Sequence, residues 1–204
     1  MGASEEREEI RKFARRLIVV VSGVFLFLVA WLLMSADKLE GFGVSFADLG
    51  GDFSLKSSRG DVSLSDYKGK VVVLYFGYLS CPQVCPVSMG VLSQSLNDLS
   101  EEGFDDVQVL LVSIDPINDT VEKLDMFTNS FHDRILGLTG AELQIQEVAK
   151  KYGAFFEIVE KVESQVLIDH VTRYYIIGRD GNLVDALRHG STSNEITARI
   201  KMLL

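Results

Sequence analysis

Cys81 and Cys85 are the only two cysteines in a chain of 204 residues, and they stand together in Cys81-Pro82-Gln83-Val84-Cys85-Pro86. Two sulfurs so close in sequence can pass electrons by opening and closing a disulfide, or they can hold a soft cation between them. The spacing is CxxxC rather than the CxxC of dithiol redox enzymes. The extra residue leaves room for a metal ion with sulfur bonds of about 2.3 Å. A structural bridge is the plain alternative, but one closing so short a loop removes little chain entropy.

A metal held by two sulfurs needs a third ligand, and the chain offers His132, His170 and His189. His132 lies beside Asp133 after a helical run and reads as a solvated loop residue. His189 follows a C-terminal strand beside Gly190 and reads as surface. His170, in Leu167-Ile168-Asp169-His170-Val171-Thr172, comes immediately before a strand and is the stronger candidate. Two thiolates and one imidazole favour copper, Cu(I) especially, and can hold Cu(II) with an added oxygen ligand. A structural zinc site would want four closed ligands, and no fourth stands out. Met89, four residues after Cys85 on the same helical face, reads as a core residue. A Cys81–Cys85 disulfide cannot bind copper, so reduction must precede loading.

The elements that must position these residues follow from the apolar pattern. Val71 to Tyr78 reads as a buried strand, and the run from Val87 to about Leu99 as a helix beginning near Val84 to Pro86. Pro82 and Pro86 lack a backbone donor and are tolerated only before or within the first helical turn. Both sulfurs thus lie where a strand gives way to a helix, whose electropositive start is expected to lower thiol pKa. A hairpin over residues 51–64 precedes this unit. Val107 to Ile114 is a second buried strand, Thr120 to about Asn129 a helix, Ile135 to Leu138 a short apolar run, and Glu142 to Tyr152 a helix stopping at Gly153. Ala154 to Val162 is β-like and ends in a charged loop. Arg173 to Ile177 and Leu183 to Arg188 form a hairpin about Gly178-Arg179-Asp180-Gly181-Asn182. Ser193 to Met202 closes the chain as a helix capped by Ser193 or Asn194.

A parallel β-α-β start, an antiparallel β-β-α end and a dithiol after the first central strand predict an α/β, thioredoxin-like fold. Its mixed central sheet is flanked by helices and preceded by an N-terminal hairpin. In such folds the loop entering the strand at Arg173 packs against the dithiol and normally carries a cis-proline. Prolines occur here only at 82, 86 and 116, and His170 occupies that loop instead.

Leu17 to Met34 is 18 residues without a charge, roughly 27 Å as a helix and close to a bilayer core. Arg11, Lys12, Arg15 and Arg16 precede it and should stay cytoplasmic. The expected organisation is a cytoplasmic segment 1–16, a transmembrane anchor 17–34, a linker 35–50 and a thioredoxin-like domain 51–204. A cleavable signal peptide is the rival reading, but Met34-Ser35-Ala36 offers a poor exit for it. The short N-terminus points to a bacterial inner membrane with the domain in the periplasm. Residues 35–204 carry 15 basic and 25 acidic side chains. That balance repels nucleic acid and anionic surfaces and suits a basic partner or a cation.

The chain resembles the Sco/SenC family of membrane-anchored, thioredoxin-like copper proteins that help assemble cytochrome c oxidase. The matching residues are Gly69 to Tyr78 leading into Cys81-Pro82-x-x-Cys85-Pro86, Val112-Ser113-Ile114-Asp115-Pro116, Gly137-Leu138-Thr139-Gly140, Lys151-Tyr152-Gly153 and Asp169-His170. The similarity covers about residues 51 to 204. It implies that Cys81, Cys85 and His170 are copper ligands, and that the partner is oxidase subunit II, whose dinuclear copper centre receives copper or has its cysteines reduced. Two positions depart: Gln83 where many relatives have Asp, and Val171 where they have Ser after the histidine. The expected function is a metallochaperone for one copper ion, not chiefly an enzyme. The alternative is a tethered thiol–disulfide reductase using Cys81 and Cys85, with His170 tuning them. A peroxide-reducing or redox-sensing thiol protein is a distant third.

Overall fold

The computed structural model describes residues 21–25, 27, 49–162, 165–170 and 172–204, with 157–162 and 165–170 described by their backbone alone. The chain divides into two units, Met1–Val44 and Ser45–Leu204. In the first, residues 21–25 and 27 are helical, with Val21, Val24, Phe25 and Phe27 exposed. The rest of the expected span 17–34, the segment 1–16 and the linker up to residue 48 lie outside the described residues. Among the described residues no helix is long and apolar enough to cross a membrane.

The second unit is built on two strands that are buried at every position, β3 (Val71–Gly77) and β4 (Val107–Ser113). Mainly apolar runs suit strands covered on both faces. Labelled in chain order, the N-terminal hairpin is β1 (Ser54–Ser57) and β2 (Gly60–Ser63), followed by a 3-10 turn at Leu64–Tyr67. Helix α1 (Val84–Glu101) links β3 to β4, and α2 (Val121–Asn129) links β4 to β5 (Ile135–Leu138). Helix α3 (Glu142–Lys151) ends at Gly153, whose φ of 64° is the left-handed conformation a helix stop favours. β6 (Phe156–Val162) and β7 (Gln165–His170) follow, then β8 (Arg173–Ile177), β9 (Leu183–Arg188) and α4 (Ser193–Lys201).

The central sheet has the order β5-β4-β3-β8-β9. β3, β4 and β5 run parallel, β8 is antiparallel to β3 with Tyr75 opposite Tyr174, and β9 is antiparallel to β8. This is the expected α/β, thioredoxin-like arrangement. α1 contributes Met89, Leu92, Leu96 and Leu99 to the core, and α4 contributes Ile196 and Ile200. The two helices meet where the Ser95 hydroxyl donates to the Ser193 carbonyl at 3.2 Å. Met89 is thus a core residue, as its place on the helix suggested.

Two expectations need correction. The charged stretch after residue 154 is a hairpin: β6 and β7 pair antiparallel as a separate two-stranded sheet. His170 therefore closes a strand, in register with Phe156, rather than standing on a loop. The cap of α4 is Thr192, whose hydroxyl accepts the Glu195 N–H while the Glu195 carboxylate accepts the Thr192 N–H at 2.7 Å. That reciprocal pair satisfies two helix-end donors at once, which Ser193 or Asn194 as cap would not do.

Candidate metal centre

β3 delivers the chain to the first sulfur. Its last residue, Gly77, has no room for a side chain: a Cβ there would lie 2.8 Å from the Cys85 sulfur and 2.9 Å from the Tyr75 ring. The glycine lets the sulfur settle directly against the strand end. The loop then carries Cys81, and α1 begins at Val84, so Cys85 sits in the first helical turn as expected.

First-turn N–H groups have no partner within their own helix. Gln83, the residue before α1, supplies no side-chain cap. The Cys81 sulfur fills that role, accepting the Cys85 backbone N–H at 3.4 Å. Both cysteines are free thiols, with Cys81 6% and Cys85 1% exposed.

The helix start does not lower the Cys85 thiol pKa. Burial pushes it up to about 12, against a hydrogen bond from the Tyr78 backbone that works the other way. Desolvation of a thiolate at this depth outweighs the helix-terminal field, so Cys85 rests as a neutral thiol at neutral pH.

The loop is braced by a residue that no sequence motif singles out. Asp119, just before α2, is buried, and its Oδ2 accepts the Leu79 backbone N–H at 3.0 Å and the Ser113 hydroxyl at 2.7 Å. Burial raises its carboxyl above the ordinary range even though both hydrogen bonds pull it down. Asp119 stands three residues past the Asp115-Pro116 pair, and only the folded contact reveals its role.

The backbone of His170 closes β7. It precedes β8 by three residues, and β8 is hydrogen-bonded to β3, whose far end carries the cysteine loop. Among the described residues no third His, Cys, Asp or Glu joins the two sulfurs in a metal-holding group, and the His170 ring lies outside those residues. His132 departs from its expected solvated role: its ring is 13% exposed, and Nδ1 accepts the Arg134 backbone N–H at 3.0 Å. His189 is exposed, as expected, but its Nδ1 lies 3.3 Å from the buried hydroxyl of Ser88 on α1.

A family model described as SCO1/SenC matches residues 44–204. The mitochondrial SCO2 homolog of Bos taurus is 35% identical over 182 residues, covering 84% of this chain and 68% of its own length. The chain spans only about half, 51%, of the mitochondrial SCO2 protein of Saccharomyces cerevisiae. The copper-bound structure of Bradyrhizobium japonicum ScoI matches with a TM-score of 0.70 and 30% identity, over 76% of this chain and 99% of that one. A second structure, of BsSco, is described by a disulfide switch and as a member of the Sco family of cytochrome c oxidase assembly proteins. It matches with a TM-score of 0.62 and 26% identity, over 76% of this chain and 92% of that one.

Proposed function

We propose, on the premise that this chain belongs to the SCO1/SenC family, that it is a membrane-tethered copper chaperone for cytochrome c oxidase. It holds one copper ion through the thiolates of Cys81 and Cys85 and the imidazole of His170, and gives it up to the copper centre of oxidase subunit II. The observation that carries this reading is the reduced sulfur pair at the start of α1 in a fold whose relatives include a copper-bound structure. Leu17 to Met34 is the anchor in this reading, and the domain faces the periplasm of a bacterial cell.

The chain's own residues divide the work. Gly77 and the first turn of α1 seat Cys85, Asp119 fixes the loop that presents Cys81, and the hairpin β6–β7 brings His170. Loading displaces the thiol protons. Three ligands, two of them soft, leave the cation open to attack by an incoming ligand, which suits transfer better than storage.

A second reading, thiol–disulfide exchange with the cysteines of an exported partner, is favoured by the position of the pair after the first central strand and by the disulfide switch described for BsSco. The burial of both sulfurs disfavours it, because exchange needs a sulfur that a partner can reach.

The test is a Cu(I) titration of the reduced full-length chain against a competing chelator, repeated for Cys81→Ser, Cys85→Ser and His170→Ala. One equivalent bound by the parent, with loss of affinity in all three variants, supports the chaperone. Unchanged affinity in His170→Ala, with reduction of a partner disulfide retained, would favour the reductase.

A further inference from the structure

The sheet face turned away from α1 carries a cavity of about 210 Å³, lined by Leu49, Tyr152, Gly153, Arg173, Tyr175 and Ala186. Strand alternation decides what enters it. Tyr174 packs on Tyr75, whose phenol bonds to Ser88 on α1, so Arg173 and Tyr175 project from the other face of β8. There the Tyr175 ring meets Phe76 and Tyr152 edge-on, with centroids 5.7 and 6.0 Å away. Ala186 stands opposite Tyr175 in the β8–β9 register, and its small side chain leaves space beside the ring.

Two features of this face are costly to the fold. The Tyr175 hydroxyl is buried and has no hydrogen-bond partner among the described residues, an arrangement that folding alone selects against. Arg173 stands directly opposite Arg188 in register, and like charges so paired destabilise a sheet. Among the described residues no carboxylate pairs with either guanidinium. This concentration of positive charge lies in a domain with 15 basic and 25 acidic side chains over residues 35–204.

One kind of ligand answers both costs, an anion that accepts from the phenol and the guanidinium together. The walls decide what carries the charge. Leu49, Ala186 and the Tyr152 ring are apolar, and a bare inorganic anion would leave them uncovered. The volume equals the share of about seven waters at roughly 30 Å³ each. Sites for drug-sized molecules start near ~300 Å³, so the apolar part is a short chain.

We propose that this cavity binds a small carboxylate, with Arg173 and the Tyr175 phenol at its charged end and Leu49, Tyr152 and Ala186 along its apolar end. The guanidinium fork matches a carboxylate through two parallel bonds, and the phenol donates a third. The hydroxyl has no solvent contact, so the acid reaches it as the half-buried Leu49 and Arg173 side chains turn aside. A free acid and a glutamate side chain on a partner present the same group. The site is separate from the cysteine pair and does not rest on the copper reading.

The test needs no copper and leaves both cysteines untouched. The full-length chain is titrated by calorimetry with butyrate, with uncharged butyramide, and with the peptide acetyl-Gly-Glu-Gly-amide. Saturable binding of butyrate or the peptide, and none of butyramide, is expected. The tighter of the two binders assigns the source as a free acid or a partner's side chain. Arg173→Met is expected to weaken binding by about 10- to 100-fold, the scale of a hydrogen bond to a charged group, and Tyr175→Phe by about three- to ten-fold. Without ligand, Tyr175→Phe should melt no lower than the parent, because it discards an unpartnered hydroxyl and no bond. A lower melting point would mark the phenol as structural and overturn its role. Failure of both acids to bind, equal binding of butyramide, or parent-like affinity in either variant would also overturn the proposal.

Discussion

The buried carboxylate of Asp119 accepts the backbone N–H of Leu79 at 3.0 Å, joining two loops 40 residues apart. The same oxygen accepts the Ser113 hydroxyl at 2.7 Å, so the end of β4, the start of α2 and the loop ahead of Cys81 meet at one atom. The position of the first sulfur depends on this junction as well as on the helix that follows it.

Asp119→Ala leaves the Leu79 N–H and the Ser113 hydroxyl without their acceptor. An unsatisfied buried donor costs about 1–3 kcal/mol, and the loop should open more often. Urea unfolding is expected to show a loss on that scale, with faster alkylation of Cys81. Asp119→Asn keeps an acceptor oxygen and should recover most of both effects.

The same carboxyl sets a pH dependence. Burial raises its folded pKa above the ordinary value of 3.8, so the folded state favours the protonated form. Its stabilising effect is fully present below the ordinary value and is lost as pH rises through the raised folded value. The unfolding free energy of the parent minus that of Asp119→Asn should therefore fall as pH rises from 3.8 and level off once the group is ionised. A difference that grew with pH would contradict this sign.

Gly77→Ala tests the close seat of Cys85. A Cβ placed 2.8 Å from the sulfur and 2.9 Å from the Tyr75 ring must displace one of them. Overpacking of this kind costs about 1–3 kcal/mol. Weaker Cu(I) binding than in the parent is also expected, because the sulfur moves. Unchanged melting and unchanged copper affinity would show that the strand end is looser than the contact implies.

Thr192→Ala is the complementary control. It removes a cap worth about 0.5–2 kcal/mol at a helix whose start lies far along the chain from both cysteines. Thermal unfolding should show the loss, and copper stoichiometry should stay at that of the parent.

What the sequence disclosed and what it hid have separate physical causes. β3 and β4 were legible because a run such as Val71-Val72-Val73-Leu74 has few stable fates other than a strand buried on both faces. The cysteine turn was legible because Pro82 and Pro86 restrict where α1 can begin. β7 was hidden because Asp169 and His170 break its apolar alternation and Glu163-Ser164, the residues that follow β6 in the sequence, include no glycine. The α4 cap was read as Ser193 or Asn194, one or two residues late, and only the reciprocal bond with Glu195 selects Thr192. Asp119 with Leu79, and Ser88 with His189, are contacts across distant sequence that no local pattern encodes. The Cys85 thiol was misjudged because burial depth, absent from a sequence, outweighed the helix start.

The most direct measurement is X-ray absorption at the copper edge on the full-length chain loaded with one equivalent of Cu(I), compared with His170→Ala. Two sulfur scatterers and one imidazole nitrogen in the parent, with the nitrogen shell lost in the variant, is the expected result. A nitrogen shell that persists without His170, or a copper bound by sulfur alone in both proteins, would contradict the assignment of Cys81, Cys85 and His170 as one site.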